Sequence, residues 1–117
     1  MLKGIIIEES LRDREQLKKL RVIATRISRT MKWHMHTVSV TKNQVYTIAK
    51  NLDSSGKWYV HFWDTDGNII AAFSTGVIYE FNYYKKATWK PAVEHGLAMG
   101  IPLEQLDFVI ESAAPRP

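Results

Sequence analysis

A chain of 117 residues, 45% hydrophobic and 24% charged, has the size and make-up of one globular domain, which excludes a disordered or fibrous chain. It contains no cysteine, so disulfides, thiol nucleophiles and cysteine-metal sites are excluded, and no apolar run approaches the roughly 18–20 residues of a membrane helix. The net charge of +4 is uneven: Arg12 to Lys32 holds eight basic residues against Asp13 and Glu15, which leaves the remainder at −2.

Gly4 to Glu9 reads as a strand with a β-branched run. Ser10 and Asp13 have the spacing of a capping box, and Leu11, Leu17 and Leu20 form a thin apolar stripe, so a short helix is expected over residues 11–20. From Arg21 the period changes to alternation, as in a half-exposed strand, and Trp33 to Val40 reads as the next strand. Thr41 and Gln44 make a second capping box, followed by Val45, Ile48, Ala49 and Leu52 at helical spacing. Three strands follow, Lys57–Asp64, Asn68–Ser74 and Val77–Tyr83. Asp66-Gly67 between the first two suggests a type I′ hairpin, and Thr75-Gly76 a second tight turn.

Thr88 is placed to cap a third helix with Pro91 in its first turn, Trp89, Val93 and Leu97 toward the sheet, and Gly100 as its stop. Leu103 to Ile110 reads as a turn with a short strand left open. The order β-α-β-β-α-β-β-β-α predicts an α+β fold, a mostly antiparallel sheet with a three-stranded C-terminal meander and helices packed on one face in two layers. Residues 1–111 are expected to form the single domain and 112–117 a frayed tail. With no signal-peptide pattern, the expected location is the cytoplasm.

The strings Lys3-Gly4-Ile5-Ile6-Ile7-Glu8-Glu9-Ser10-Leu11, Trp58-Tyr59, Gly96-Leu97-Ala98-Met99-Gly100-Ile101-Pro102 and Gln105-Leu106-Asp107-Phe108 resemble a small prokaryotic family without an assigned activity. The resemblance implies a compact cytoplasmic domain and no particular reaction, cofactor or catalytic residue.

Candidate site residues fall in three groups. The central strand carries apolar side chains on both faces, Trp58, Val60 and Phe62 against Tyr59, His61 and Trp63, and the next hairpin repeats this with Tyr79, Phe81 and Tyr83. Tyr59, His61, Trp63 and Tyr83 are therefore candidates for a binding surface, unless helices cover them. Lys18, Lys19, Arg21, Arg26 and Arg29 are candidates for contact with a polyanion, with a solvated face as the simpler reading. His34 and His36 point to one side of a strand, as metal ligands can, although they share that side with Val38 and Val40 and are more simply the wet end of a core-facing row, bonded to backbone. Glu8 and Glu9, on neighbouring strand positions, are expected to point apart.

No phosphate loop, nucleophile elbow or zinc-protease motif occurs, so no cofactor and no catalytic residue is assigned. The favoured reading is a non-catalytic binding or regulatory module, with a protein partner or self-association as a homodimer and no membrane contact. The alternatives are a nucleic-acid-binding protein using the basic segment, and a small enzyme or metal-binding protein using His36 and His61, with Asp64 beside them.

Overall fold

A computed structural model describes residues 1–110. The sheet is built on β1, Leu2–Ile7, whose β-branched run suits a strand flanked on both sides. Its partners are β3 (His34–Val40), with Leu2 opposite Val40 and Ile6 opposite His36, and β4 (Tyr59–Trp63), with Gly4 opposite Phe62. Adding β2 (Arg21–Ile27), β5 (Asn68–Phe73) and β6 (Ile78–Asn82) gives six strands in the order β2-β3-β1-β4-β5-β6, every neighbouring pair antiparallel. The α+β class, the antiparallel sheet and the C-terminal meander thus match the sequence reading.

Because β1 sits between β3 and β4, those two strands run parallel and need a crossover. Helix α1 (Lys42–Lys50) supplies it, with Thr41 and Gln44 forming the expected capping box. Strands β1 and β2 flank β3 and also run parallel; their connection passes through 3-10 turns at Glu8–Ser10 and Arg14–Lys19. Both crossovers lie on one face, where Val45, Ile48 and Ala49, with Leu17 and Leu20 at the margin, pack on Ile6, Val38, Val40, Val60 and Phe62.

Helix α2 (Lys90–Ala98) lies on the opposite face, against Trp63, Ile69, Ala71, Phe73 and Phe81. The helices therefore cover both faces, not one as expected. The doubly apolar strands β4 and β5 require it, since each presents an apolar row to either side.

Several local expectations also change. Residues 11–20 do not form one helix: Leu11 bridges to Leu52, and Asp13 caps the turn by accepting from the Glu15 N–H at 3.0 Å. The Asp66-Gly67 hairpin is a type I turn closed by Gly67 at φ 84°, with Gly67 N–H donating to the Asp64 carbonyl, and not type I′. The Asp64 carboxylate selects it by accepting from the N–H groups of Asp66 and Asn68, each at 2.9 Å.

Thr88 lies inside a 3-10 turn, and α2 buries Ala92 and Gly96 while Leu97 is 46% exposed. Gly96 shifts the buried stripe, because its missing Cβ leaves room for Leu106; a Cβ there would come within 2.8 Å of Leu106 Cδ1. The helix stops as expected, in a Schellman arrangement at Gly100 (φ 90°) with Ile101 N–H on the Gly96 carbonyl and Gly100 N–H on that of Leu97. Residues 103–110 hold a 3-10 turn, Leu103–Gln105, and no strand. The proposed tail, 112–117, lies outside the described residues. Among the described residues no helix is long and apolar enough to cross a membrane.

Candidate functional site

The aromatic row of β4 is covered in part: Tyr59 and His61 are half-buried, and both line clefts at the border of the cover. The Tyr59 hydroxyl donates to the Gln105 carbonyl, and His61 Nε2 donates to the Val109 carbonyl at 2.8 Å. Phe108, fully buried, sets its ring against those of Tyr59, His61, Phe81 and Trp89. Burial, with the Asp107 charge nearby, pushes the Tyr59 hydroxyl up to about 12. Trp63 is 7% exposed. Tyr83 stands apart from this row, packed on Trp89 with the Lys86 ammonium 5.4 Å from its ring centre. Tyr59, His61, Trp63 and Tyr83 are therefore not one open face. The cause is the segment 101–110, whose apolar positions Ile101, Leu106, Phe108 and Ile110 all point into the sheet.

That cover ends at β4. Across β1, β3 and β2 the same face stays open, with Ile5, Ile7, Met35 and Thr37 half-buried. Two adjoining clefts of about 450 and 470 Å³ share Ile5 and His61 and run along the border between covered and open halves. Arg26 stands on the rim of the first, with Thr37, Trp63 and Val109. The groove is therefore apolar in its floor and basic at its outer wall.

The outer wall is β2, an edge strand all of whose residues are exposed, Val22, Ile23 and Ile27 at 40, 51 and 57%. A bulge between Val22 and Ala24 breaks its pairing with β3. The five basic candidates do not form one patch. Lys18 pairs with Glu15, and Lys19 lines a separate pocket against α1, on the other face. Arg21 and Arg26, by their register with Ser39 and Met35, stand on the open face. Arg21, Arg26 and Arg29 have no side-chain ion pair among the described residues.

A second cluster sits where β1 ends and β3 begins. The strand stops at Ile7, and the 3-10 turn that follows, held by Ser10 Oγ donating to the Ile7 carbonyl at 2.6 Å, swings both carboxylates toward β3. Glu8 and Glu9 thus converge where strand alternation would part them. Glu9 Oε2 is 2.7 Å from His34 Nδ1, and its Oε1 accepts from the His34 N–H at 2.8 Å. Burial alone would raise the Glu9 pKa, but the hydrogen bonds from the His34 side chain and backbone outweigh it and hold the carboxyl below its ordinary value.

Glu8 Oε1 is 2.9 Å from His36 Nε2, and Glu8 Oε2 is 3.3 Å from Arg14 Nη1. The other ring nitrogen of His36, Nδ1, lies 2.9 Å from Thr25 Oγ1. His34 and His36 do share one face, but their partners are carboxylates and a hydroxyl, not backbone carbonyls. His36 and His61 stand on opposite faces, since Ile6 opposite His36 belongs to the α1 core and His61 is roofed by the 101–110 segment. A single site built on His36 and His61 is therefore corrected. The neighbouring charges at Glu8 and Glu9 were visible in the sequence; their convergence on the histidines was not, because it needs the β1–β3 register.

Comparison with protein-family models, with curated proteins and with solved structures found no match.

Proposed function

We propose that this protein is a binding module that takes an extended segment of a partner protein, apolar and acidic in alternation, along β2 and the groove beside it. One observation carries the reading: cover of the α2 face stops at β4 and leaves an apolar groove next to an exposed edge strand with unpaired arginines. An edge strand offers a row of backbone donors and acceptors that an extended chain can pair with. Val22 and Ile27, in register with Val38 and His34, supply exposed apolar contact on the α1 side of the strand, and Arg26 on the open side offers a planar fork that matches a carboxylate.

Charge complementarity favours an acidic partner over a second copy of this chain, because self-pairing would bring two basic strands together. Single-stranded RNA fits less well. The rings that would stack on bases, Tyr59 and Trp63, lie beneath the C-terminal segment or at its edge, engaged with neighbouring residues.

The test is fluorescence anisotropy with a labelled peptide alternating Val and Glu, compared with oligouridylate, across a series of salt concentrations. The peptide is expected to bind, and Arg26→Glu and Met35→Glu each to weaken it about tenfold or more. Binding of oligouridylate without binding of the peptide, or peptide binding that Arg26→Glu and Met35→Glu both leave unchanged, would overturn the reading.

A further inference from the structure

We propose that Glu8, Glu9 and His34 bind a single divalent transition-metal ion, with Thr25 fixing the His36 ring and His36 in turn holding the Glu8 carboxylate in place. This is independent of the partner-binding groove, because the ligand side chains sit at the β1–β3 end and none of them lines it.

Among the described residues this is the one place where three metal-competent side chains bring ligand atoms within 4.8 Å of one another. A metal–oxygen or metal–nitrogen bond to such ligands is about 2.0–2.2 Å, so atoms that close can share one ion with small rotations. The donors are one imidazole nitrogen and two carboxylate oxygens. That mixture suits zinc, cobalt, iron(II) or manganese, whereas magnesium and calcium prefer oxygen alone. Three protein ligands leave further coordination positions for water, and the His34 side chain, 46% exposed, leaves the approach open.

The surrounding shell is what a ligand set needs. His36 is fixed from both sides: with the proton on Nε2, the ring donates to Glu8 Oε1 and accepts the Thr25 hydroxyl at Nδ1. Such outer partners orient ligands and tune affinity. The bland alternative is that the four side chains merely pin the end of β1 to β3. It explains the bonds from Glu9 to His34, but it leaves two carboxylates converged with one arginine, itself 55% exposed, as their only permanent cation among the described residues. An ion between the carboxylates answers that excess of negative charge.

The test is calorimetric titration of the chelator-stripped full chain with zinc chloride near neutral pH, with magnesium chloride as the comparison and the cobalt(II) absorption spectrum as a second readout. One zinc per chain is expected, magnesium far weaker, and a cobalt spectrum that His34→Ala abolishes. His36→Ala, a positioning change, is expected to weaken zinc by about tenfold to a hundredfold. Arg14→Ala is expected to tighten zinc, because it removes the cation that competes for Glu8, a result the pinning alternative does not give. Absence of zinc binding, or zinc binding that survives both His34→Ala and Glu9→Gln unchanged, overturns the proposal. Thermal melts of each variant without metal separate lost ligation from lost folding.

Discussion

His61 Nε2 donates to the Val109 carbonyl across 2.8 Å, and this bond ties the central strand β4 to the segment that roofs it. Burial lowers the His61 pKa, against smaller opposing effects of the Val109 bond and the Asp107 charge. The folded value therefore lies below the ordinary 6.5, and the unfolded chain binds the proton more readily. The stability that a neutral His61 contributes is complete above 6.5 and is lost as pH falls from there toward the folded value. Urea unfolding at about pH 7.5 and about pH 5.5 is expected to give a lower midpoint in acid, and His61→Gln, which can still donate to Val109, is expected to shrink that difference. An unchanged pH dependence in the variant would assign the effect to other groups.

Phe108 is the anchor of the same roof. It is fully buried, with its ring centre 4.9 Å from that of Phe81 and 5.5–5.7 Å from those of Tyr59, His61 and Trp89. Phe108→Ala is expected to cost about 3–5 kcal/mol in urea unfolding, as large-to-small changes at buried aromatics do. If the segment then lifts, binding of a hydrophobic dye and loss of near-ultraviolet ellipticity should accompany the loss, whereas Val109→Ala, at a 39% exposed position, should do little.

The two C-terminal hairpins were legible in the sequence because glycine supplies the positive φ that a tight turn requires, and Gly67 and Gly76 take φ 84° and 92°. Their turn type was not, because it depends on where the Asp64 carboxylate finds donors. The double apolar pattern of β4 was equally readable, but it left open whether helices or a partner would cover the second face. What covers them depends on strand order. With β1 between β3 and β4, both crossovers fall on the α1 face, and only α2 and residues 101–110 remain for the other, which they cover in part. The same missing register hid the convergence of Glu8 and Glu9 on His34 and His36, and the separation of His36 from His61.

The capping box at Thr41 was read from sequence and has a measurable weight. Thr41 Oγ1 accepts from the Gln44 N–H at 3.2 Å, and Gln44 Oε1 accepts from the Thr41 N–H at 2.9 Å. Thr41→Ala is expected to cost about 1 kcal/mol and Thr41→Ser much less, since serine keeps the acceptor. Equal losses in the two variants would place the effect in packing of the threonine methyl group rather than in the cap.

Gly4 leaves no room for a side chain between β1 and β4. It is buried, opposite Val38 on one side and Phe62 on the other, and an added Cβ would lie 2.8 Å from the His61 carbonyl oxygen and closer still to the Phe62 ring. Strand β1 is paired on both sides, so it cannot shift away without disturbing β3 or β4. Gly4→Ala is therefore expected to destabilise by about 1–3 kcal/mol, the range for overpacked cores, even though alanine restricts the unfolded chain more than glycine does. Adding Phe62→Leu should recover part of the loss, because the ring is the nearer obstacle, and the coupling measured in that double-mutant cycle separates ring crowding from carbonyl crowding. A Gly4→Ala variant as stable as the parent would show that the strands have room which this packing denies them.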